Sequence, residues 1–313
     1  MWSRITPPRA GSRDGGRCPD HRRGPAGLTA ATYLARFRRS VLVADGGEPR
    51  AAWIPLSHNM PGFPEGIGGD AILTRMRLQA EEYGAQIRPV FVEGLAREGD
   101  GFTARLGDVR ITARAVLLAT GVVDHHPDLP GVEDAIARGL VRICPICDGF
   151  EAIGKSIAVI GDGDLGAREA AFVRTYSEQV CLIHVGPPVA LTRRDDLKRL
   201  GVPVIETTIE QVHIEGDRLI ALSWGGKQTS FDAVYSALGT TPECGLAVDL
   251  GAALGEDGRL AVDDHQQTSV PGLYAAGDVV RGLNQLTVAS AEAAVAATAI
   301  HNRFRQAEGM TAD

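Results

Sequence analysis

Two cysteines stand three residues apart in "RICPICDGFE", and Asp148 follows the second directly. At C-x-x-C spacing a single turn brings the sulfurs of Cys144 and Cys147 within disulfide reach. It can also lower one thiol's pKa, which is what thiol–disulfide exchange needs. An acid beside such a pair can pass a proton to or from a thiolate, although the same carboxylate also suits a plain helix cap. Half of a zinc site is the competing reading. Zinc takes four ligands, typically from a second C-x-x-C or a His pair, and Cys181 and Cys244 are isolated in the chain. No metal is expected. With Cys18 the cysteines number five, an odd count containing one close pair. That is no secreted disulfide framework; it points to a reducing, cytoplasmic setting.

A dithiol needs a two-electron partner, and the chain carries two stretches suited to hold one. In "SIAVIGDGDLGAREAAFVRTY" an apolar strand over 156–160 runs into Gly161, Gly163 and Gly166, an intact G-x-G-x-x-G, and then into a helix expected over 167–176. The first glycine permits the tight turn, the second admits a pyrophosphate, and the third lets helix and strand pack closely. The second stretch, "RRGPAGLTAATYLARFRRSVLVADGG", has Gly24 and Gly27 at the second and third glycine positions but Arg22 at the first. Its continuation is intact, with a helix over 28–37, a strand over 40–44, and Asp45 18 residues past Gly27. An acid at that distance commonly binds a ribose hydroxyl.

Further strands are expected over 115–119, 180–184 and 233–238, and a last helix over 291–301. Strands alternating with helices around two nucleotide fingerprints predict an α/β fold with two Rossmann-like dinucleotide-binding domains. The second is expected to be inserted into the first, because "TSVPGLYAAGDV" and the last helix read as a return to the first unit. The 313 residues, 44% hydrophobic, suffice for two such cores. A net charge of −7 argues against nucleic acid as partner. No apolar run is long enough for a membrane span. The six arginines of residues 1–23 also fit a transit or twin-arginine signal, but no clear cleavage region follows them.

Beyond these separate signals, the chain resembles the low-molecular-weight thioredoxin reductase family. The likeness runs from Gly24 to about Arg305, through "GPAGLTAATYLAR", "NMPGFPEGIGG", "LLATGVVDHHPDLPG", "CPICDGFE", "GDGDLGAREA" and "TSVPGLYAAGDV". It implies an FAD-binding domain, placed at 24–121 and 246–313, split by an NAD(P)H-binding domain at 122–245 that carries the dithiol. It also implies a homodimer and a thioredoxin-like protein or a small disulfide as substrate. Cys144 and Cys147 become the redox disulfide, with Cys147 nearer the flavin and Asp148 as the acid. FAD contacts would fall at Gly24, Pro25, Ala26, Gly27, Asp45, Asn59, Thr120, Gly121, Gly277, Asp278 and Gln285. Gly161, Gly163 and Gly166 would hold the pyridine nucleotide.

The chain departs from that family at four places. Where members carry a His-Arg-Arg cluster for the 2′-phosphate of NADPH, this chain reads His184-Val-Gly-Pro-Pro, with Arg193 and Arg194 further on. That leaves NADPH or NADH open. Pro145 stands between the cysteines, and Asn284 replaces the arginine usually found before Gln285. Relatives that oxidise small dithiols (the gliotoxin-oxidase type) or reduce disulfides without NADPH share the same core and stay open, as does a non-catalytic chain without flavin. Finally, residues 1–23 do not resemble the family. Arg17–Arg23 can be encoded CGA TGC CCT GAT CAT CGG CGG, and read one base later this gives Asp-Ala-Leu-Ile-Ile-Gly-Gly, the strand and glycines that the fingerprint lacks. Residues before Gly24 are therefore expected to be a frame slip. Unpaired arginines in a central strand would weaken FAD retention.

Overall fold

The computed structural model describes residues 24–46, 49–216 and 218–311. The expectations for residues 1–23, including Arg22 and the frame slip, lie outside these. The described residues divide into two compact units, one within 24–52, 70–122 and 242–311, the other within 53–69 and 123–241. The second is thus inserted into the first, and it also includes the segment 53–69 that was expected in the first.

The second unit is built on a five-stranded parallel sheet. Its strand order is Val204–Glu206, Val180–His184, Ile157–Gly161, Ala233–Ala237 and Val141–Arg142. The three central strands are buried along their whole length, as a parallel sheet covered on both faces requires. Side chains alternate between the faces. Ile157, Val159, Leu182 and Tyr235 pack with Ala167, Ala170 and Val173 of the helix Gly163–Val173. Ala158, Ile160, Ile183 and Val234 pack with Leu222 and Trp224 on the other side. The latter two belong to an antiparallel sheet of Gln211–Glu215, Arg218–Trp224 and Lys227–Thr229. Full burial of a side chain such as Leu182 is worth ~1.5–3 kcal/mol, so this core fixes the strand ends firmly.

In the first unit the helix Pro25–Arg36 packs along Leu286–Ala307 through small residues: Ala26 and Ala30 against Ala289, Ala293 and Ala297. Alanine lets the two backbones approach closely. Two parallel strand pairs flank this helix, Leu42–Asp45 with Gln86–Pro89 and Val116–Leu118 with Leu273–Ala275. Among the described residues they form separate sheets. Leu42, Val43, Ala44, Val116 and Leu117 are only part-buried, unlike the central strands of the second unit. An antiparallel sheet of Gly94–Glu98, Gly101–Leu106 and Val109–Ala113 adds Leu95, Phe102, Ala104 and Ile111 to a core with Leu118 and Leu273.

Both glycine-loop helices begin earlier than their apolar spacing suggests, at Pro25 and Gly163. For the first of them the reason is local: proline's fixed φ suits the first helical position. The last helix is likewise longer, starting at Leu286. Among the described residues no helix is long and apolar enough to cross a membrane.

Candidate active site

Cys144 caps a single turn, Pro145–Asp148, and is disulfide-bonded to Cys147, with the Cα atoms 5.3 Å apart. Pro145 occupies the first helical position, where its missing N–H is not needed. The Cys147 N–H donates to the Cys144 carbonyl at 2.9 Å and closes the turn. Gly149 lets the turn sit tightly, since a Cβ there would lie 2.4 Å from the Tyr176 ring. The remaining cysteines that the structure describes are chemically quiet. Cys181 and Cys244 are both buried, and burial pushes the Cys181 thiol up to about 11 and raises that of Cys244. Among the described residues no group of His, Cys, Asp or Glu could hold a metal ion.

Asp148 is held by two residues that the sequence did not single out. The strands Val141–Arg142 and Ala233–Ala237 run in parallel with Arg142 opposite Tyr235. The dithiol turn folds back onto this pair. The Tyr235 hydroxyl donates to Asp148 Oδ1 at 2.9 Å, and the Arg142 guanidinium donates to the Asp148 carbonyl at 2.9 Å and to the tyrosine oxygen at 3.1 Å. Arg142 Nε lies 3.6 Å from Asp148 Oδ2. Burial raises the Asp148 carboxyl above its ordinary value of 3.8, Arg142 and Tyr235 oppose that rise, and Glu151 adds to it. Burial likewise pushes the Tyr235 hydroxyl far up, so it stays a donor. A carboxyl held readier than usual to take a proton, one residue from a redox disulfide, is suited to proton transfer during exchange.

Asn59, expected at the flavin, lies in the second unit. Its side-chain amide donates to the Ile146 carbonyl between the two cysteines at 3.2 Å, and it accepts from Ser57 Oγ at 2.8 Å. It therefore bears on the dithiol turn.

The first unit gathers most of the other expected residues at one end of its parallel strands. Gly24 is the cap residue of the first helix, Pro25 and Ala26 open it, and no side chain caps its start. A Cβ on Gly27 would rest 3.6 Å from Ala119 Cβ, and one on Gly277 would rest 3.3 Å from Ala26 Cβ. Thr120 and Gly121 follow the strand Val116–Leu118 and bond to the backbone of Glu243. Gly277, at φ +86°, donates its N–H to buried Glu292 at 2.8 Å, and the Asp278 carbonyl accepts from Arg259 at 3.0 Å. Asp45 is buried at the end of its strand. Gln285 caps the start of the last helix. An uncapped helix start with glycines at the close approaches, and an acid at the neighbouring strand end, fits the pyrophosphate and ribose of FAD.

In the second unit a Cβ on Gly166 would come 2.8 Å from Gly161 Cα, so both glycines are needed for the helix to meet the strand. The helix Gly163–Val173 also starts with no side-chain cap. Beside it His184, wholly buried, accepts the Gly163 N–H on Nε2 at 3.0 Å, while its Nδ1 has no partner. These residues fit a pyridine nucleotide.

The model of the family "Pyridine nucleotide-disulphide oxidoreductase" matches residues 23–293. A thioredoxin reductase of Mycolicibacterium smegmatis is 32% identical over 295 residues, covering 88% of this chain and 92% of its own. Among solved structures, that of HlmI superposes with a TM-score of 0.84 at 31% identity, covering 91% of each chain. The thioredoxin reductase of Streptococcus pyogenes superposes at 0.82 with 26% identity, covering 90% of this chain and 96% of its own. The curated relatives favour a reductase over the dithiol-oxidase and non-catalytic readings. A disulfide on a Rossmann sheet, two glycine-loop helices and likeness along nearly the whole chain agree: the chain belongs to the low-molecular-weight thioredoxin reductase family, the FAD-dependent dithiol oxidoreductases among the pyridine nucleotide-disulphide oxidoreductases.

Proposed function

We propose that this protein reduces a disulfide on a thioredoxin-like protein or a small molecule, with Cys144 and Cys147 as the exchanging pair and NADH or NADPH as the electron source. The observation that carries this reading is the Cys144–Cys147 disulfide with the raised Asp148 carboxyl beside it. When bound, FAD supplies a two-electron relay between a nicotinamide and that disulfide. Gly24–Gly27, Asp45, Thr120, Gly121, Gly277, Asp278 and Gln285 would hold it, and Gly161, Gly163 and Gly166 would hold the nucleotide. Exchange starts from the reduced pair. The Cys144 thiolate attacks one substrate sulfur and forms a mixed disulfide, and the other substrate sulfur leaves as a thiolate. The Cys147 thiolate then attacks Cys144 Sγ, re-forms the enzyme disulfide and expels the second substrate thiolate. The enzyme pair loses two electrons and its two protons, and the substrate gains both. Asp148 accepts a thiol proton and returns it to a leaving thiolate, and Tyr235 and Arg142 hold it in place. Exposed Ile146 and Phe150 beside the pair offer an apolar rim to a protein substrate. A homodimer in the cytoplasm is part of the same reading.

The test is an anaerobic titration of the purified holoprotein. NADH or NADPH should bleach the flavin and free two thiols, and Cys147→Ser should keep its flavin while losing turnover of thioredoxin or a small aromatic disulfide. Bleaching by dithiols alone, or turnover retained in C147S, overturns the proposal.

A further inference from the structure

The charges around the second glycine loop bear on which pyridine nucleotide it takes. Three parallel strands end level with one another, Gly161 opposite His184 and His184 opposite Glu206. In such a sheet the adenosine ribose lies at the carboxyl end of the second strand, where an acid receives the 2′-hydroxyl or a cation receives a 2′-phosphate. Here the second strand ends in His184, and carboxylates approach the ring from both sides. Asp162 Oδ1 is 3.6 Å from Nε2, and Glu206 Oε1 is 3.9 Å from Nδ1. A backbone N–H can only donate, so the bond from Gly163 makes Nε2 the lone-pair nitrogen and puts the ring proton on Nδ1. That N–H faces Glu206 without a partner, and Asp162 Oδ1 is unpartnered too. Both carboxylate side chains are close to half exposed, at 48% and 43%, and within reach of a ligand.

The cations nearby are engaged. Arg194 pairs with Glu206, and Arg193 and Arg199 both pair with Asp196. A hydroxyl suits this arrangement because it can donate to a carboxylate. A 2′-phosphate would set a dianion against Glu206 and Asp162 and compete for Arg194.

We infer that the second unit takes NADH in preference to NADPH, with Glu206 receiving the adenosine 2′-hydroxyl and Asp162 adding to the exclusion of a 2′-phosphate. The inference rests on the reading that this unit binds a pyridine nucleotide. Isothermal titration of the full chain with ADP-ribose and with 2′-phospho-ADP-ribose tests it without turnover. ADP-ribose should bind about tenfold tighter or more. Glu206→Gln should shrink that ratio by lifting the repulsion and freeing Arg194, and Asp162→Asn should shrink it less. Equal or tighter binding of the 2′-phosphorylated ligand overturns the inference, as does a ratio unchanged in both variants. Binding of neither ligand overturns the nucleotide reading itself, and is told apart by the absence of heat with both.

Discussion

Tyr235→Phe isolates the part of the site that acts through Asp148. The change removes one oxygen from a fully buried side chain and leaves the ring, so the packing of Tyr235 with Val159 and Leu182 is kept. Three bonds are lost, from the hydroxyl to Asp148 Oδ1 and to the Asp148 carbonyl, and from Arg142 to the hydroxyl. Arg142 still donates to the Asp148 carbonyl. A hydrogen bond to an ionised group is worth ~1.5–3 kcal/mol. At about 1.36 kcal/mol per tenfold, its loss shifts the Asp148 protonation equilibrium toward the acid by roughly ten- to a hundredfold. The tyrosine bond favours the carboxylate, so the carboxyl of Y235F must hold its proton to higher pH. The assay is single-turnover exchange of the reduced enzyme with a small aromatic disulfide, followed across pH. The limb of the profile that reports Asp148 should move to higher pH in Y235F, and Asp148→Asn should abolish it. A purely structural role for Tyr235 would lower stability without moving the limb. An unmoved limb in a folded Y235F refutes the assignment.

Two further outcomes follow from the same structure. Because burial raises the Asp148 carboxyl in the fold, the folded state binds that proton more readily than the unfolded chain does. Asp148 therefore favours folding fully only below its ordinary value of 3.8, and this contribution is lost as pH rises through its folded value. Urea unfolding should show D148N gaining stability relative to the parent as pH rises above the ordinary carboxyl value of 3.8; parallel curves contradict this. Replacing Arg17–Arg23 with Asp-Ala-Leu-Ile-Ile-Gly-Gly should raise the flavin-to-protein ratio of the purified chain, because an apolar strand and two glycines would replace charged residues ahead of Gly24. Full and equal flavin content in both proteins counts against the frame slip.

Much of the site is local in sequence and was legible there. Cys144, Cys147 and Asp148 form one turn, and Gly161, Gly163 and Gly166 one loop, so their spacing alone carries the geometry. Arg142 and Tyr235 were not legible, because they meet through strand register across 93 residues. An arginine at a strand end and a tyrosine inside an apolar run look ordinary until the pairing is known. Glu206 was hidden in the same way: the familiar acid position closes the second strand, whereas this one closes the third and reaches His184 from the side. The bond from Asn59 to the dithiol turn was not legible either, because it spans 87 residues. The antiparallel sheets over 94–113 and 211–229 carry strands of only three to seven residues, so periodicity gave them little signal.

The alanine seam of the first unit sets a timetable for synthesis. Ala26 and Ala30 pack on Ala289, Ala293 and Ala297, so the earliest helix has its partner only after about 260 more residues are made. At ~5–20 residues per second the wait is about 13–52 s. The inserted five-stranded sheet, complete by Ala237, is translated within that interval. On the ribosome this protein matures from the middle outward, and its first helix depends on the last to be covered.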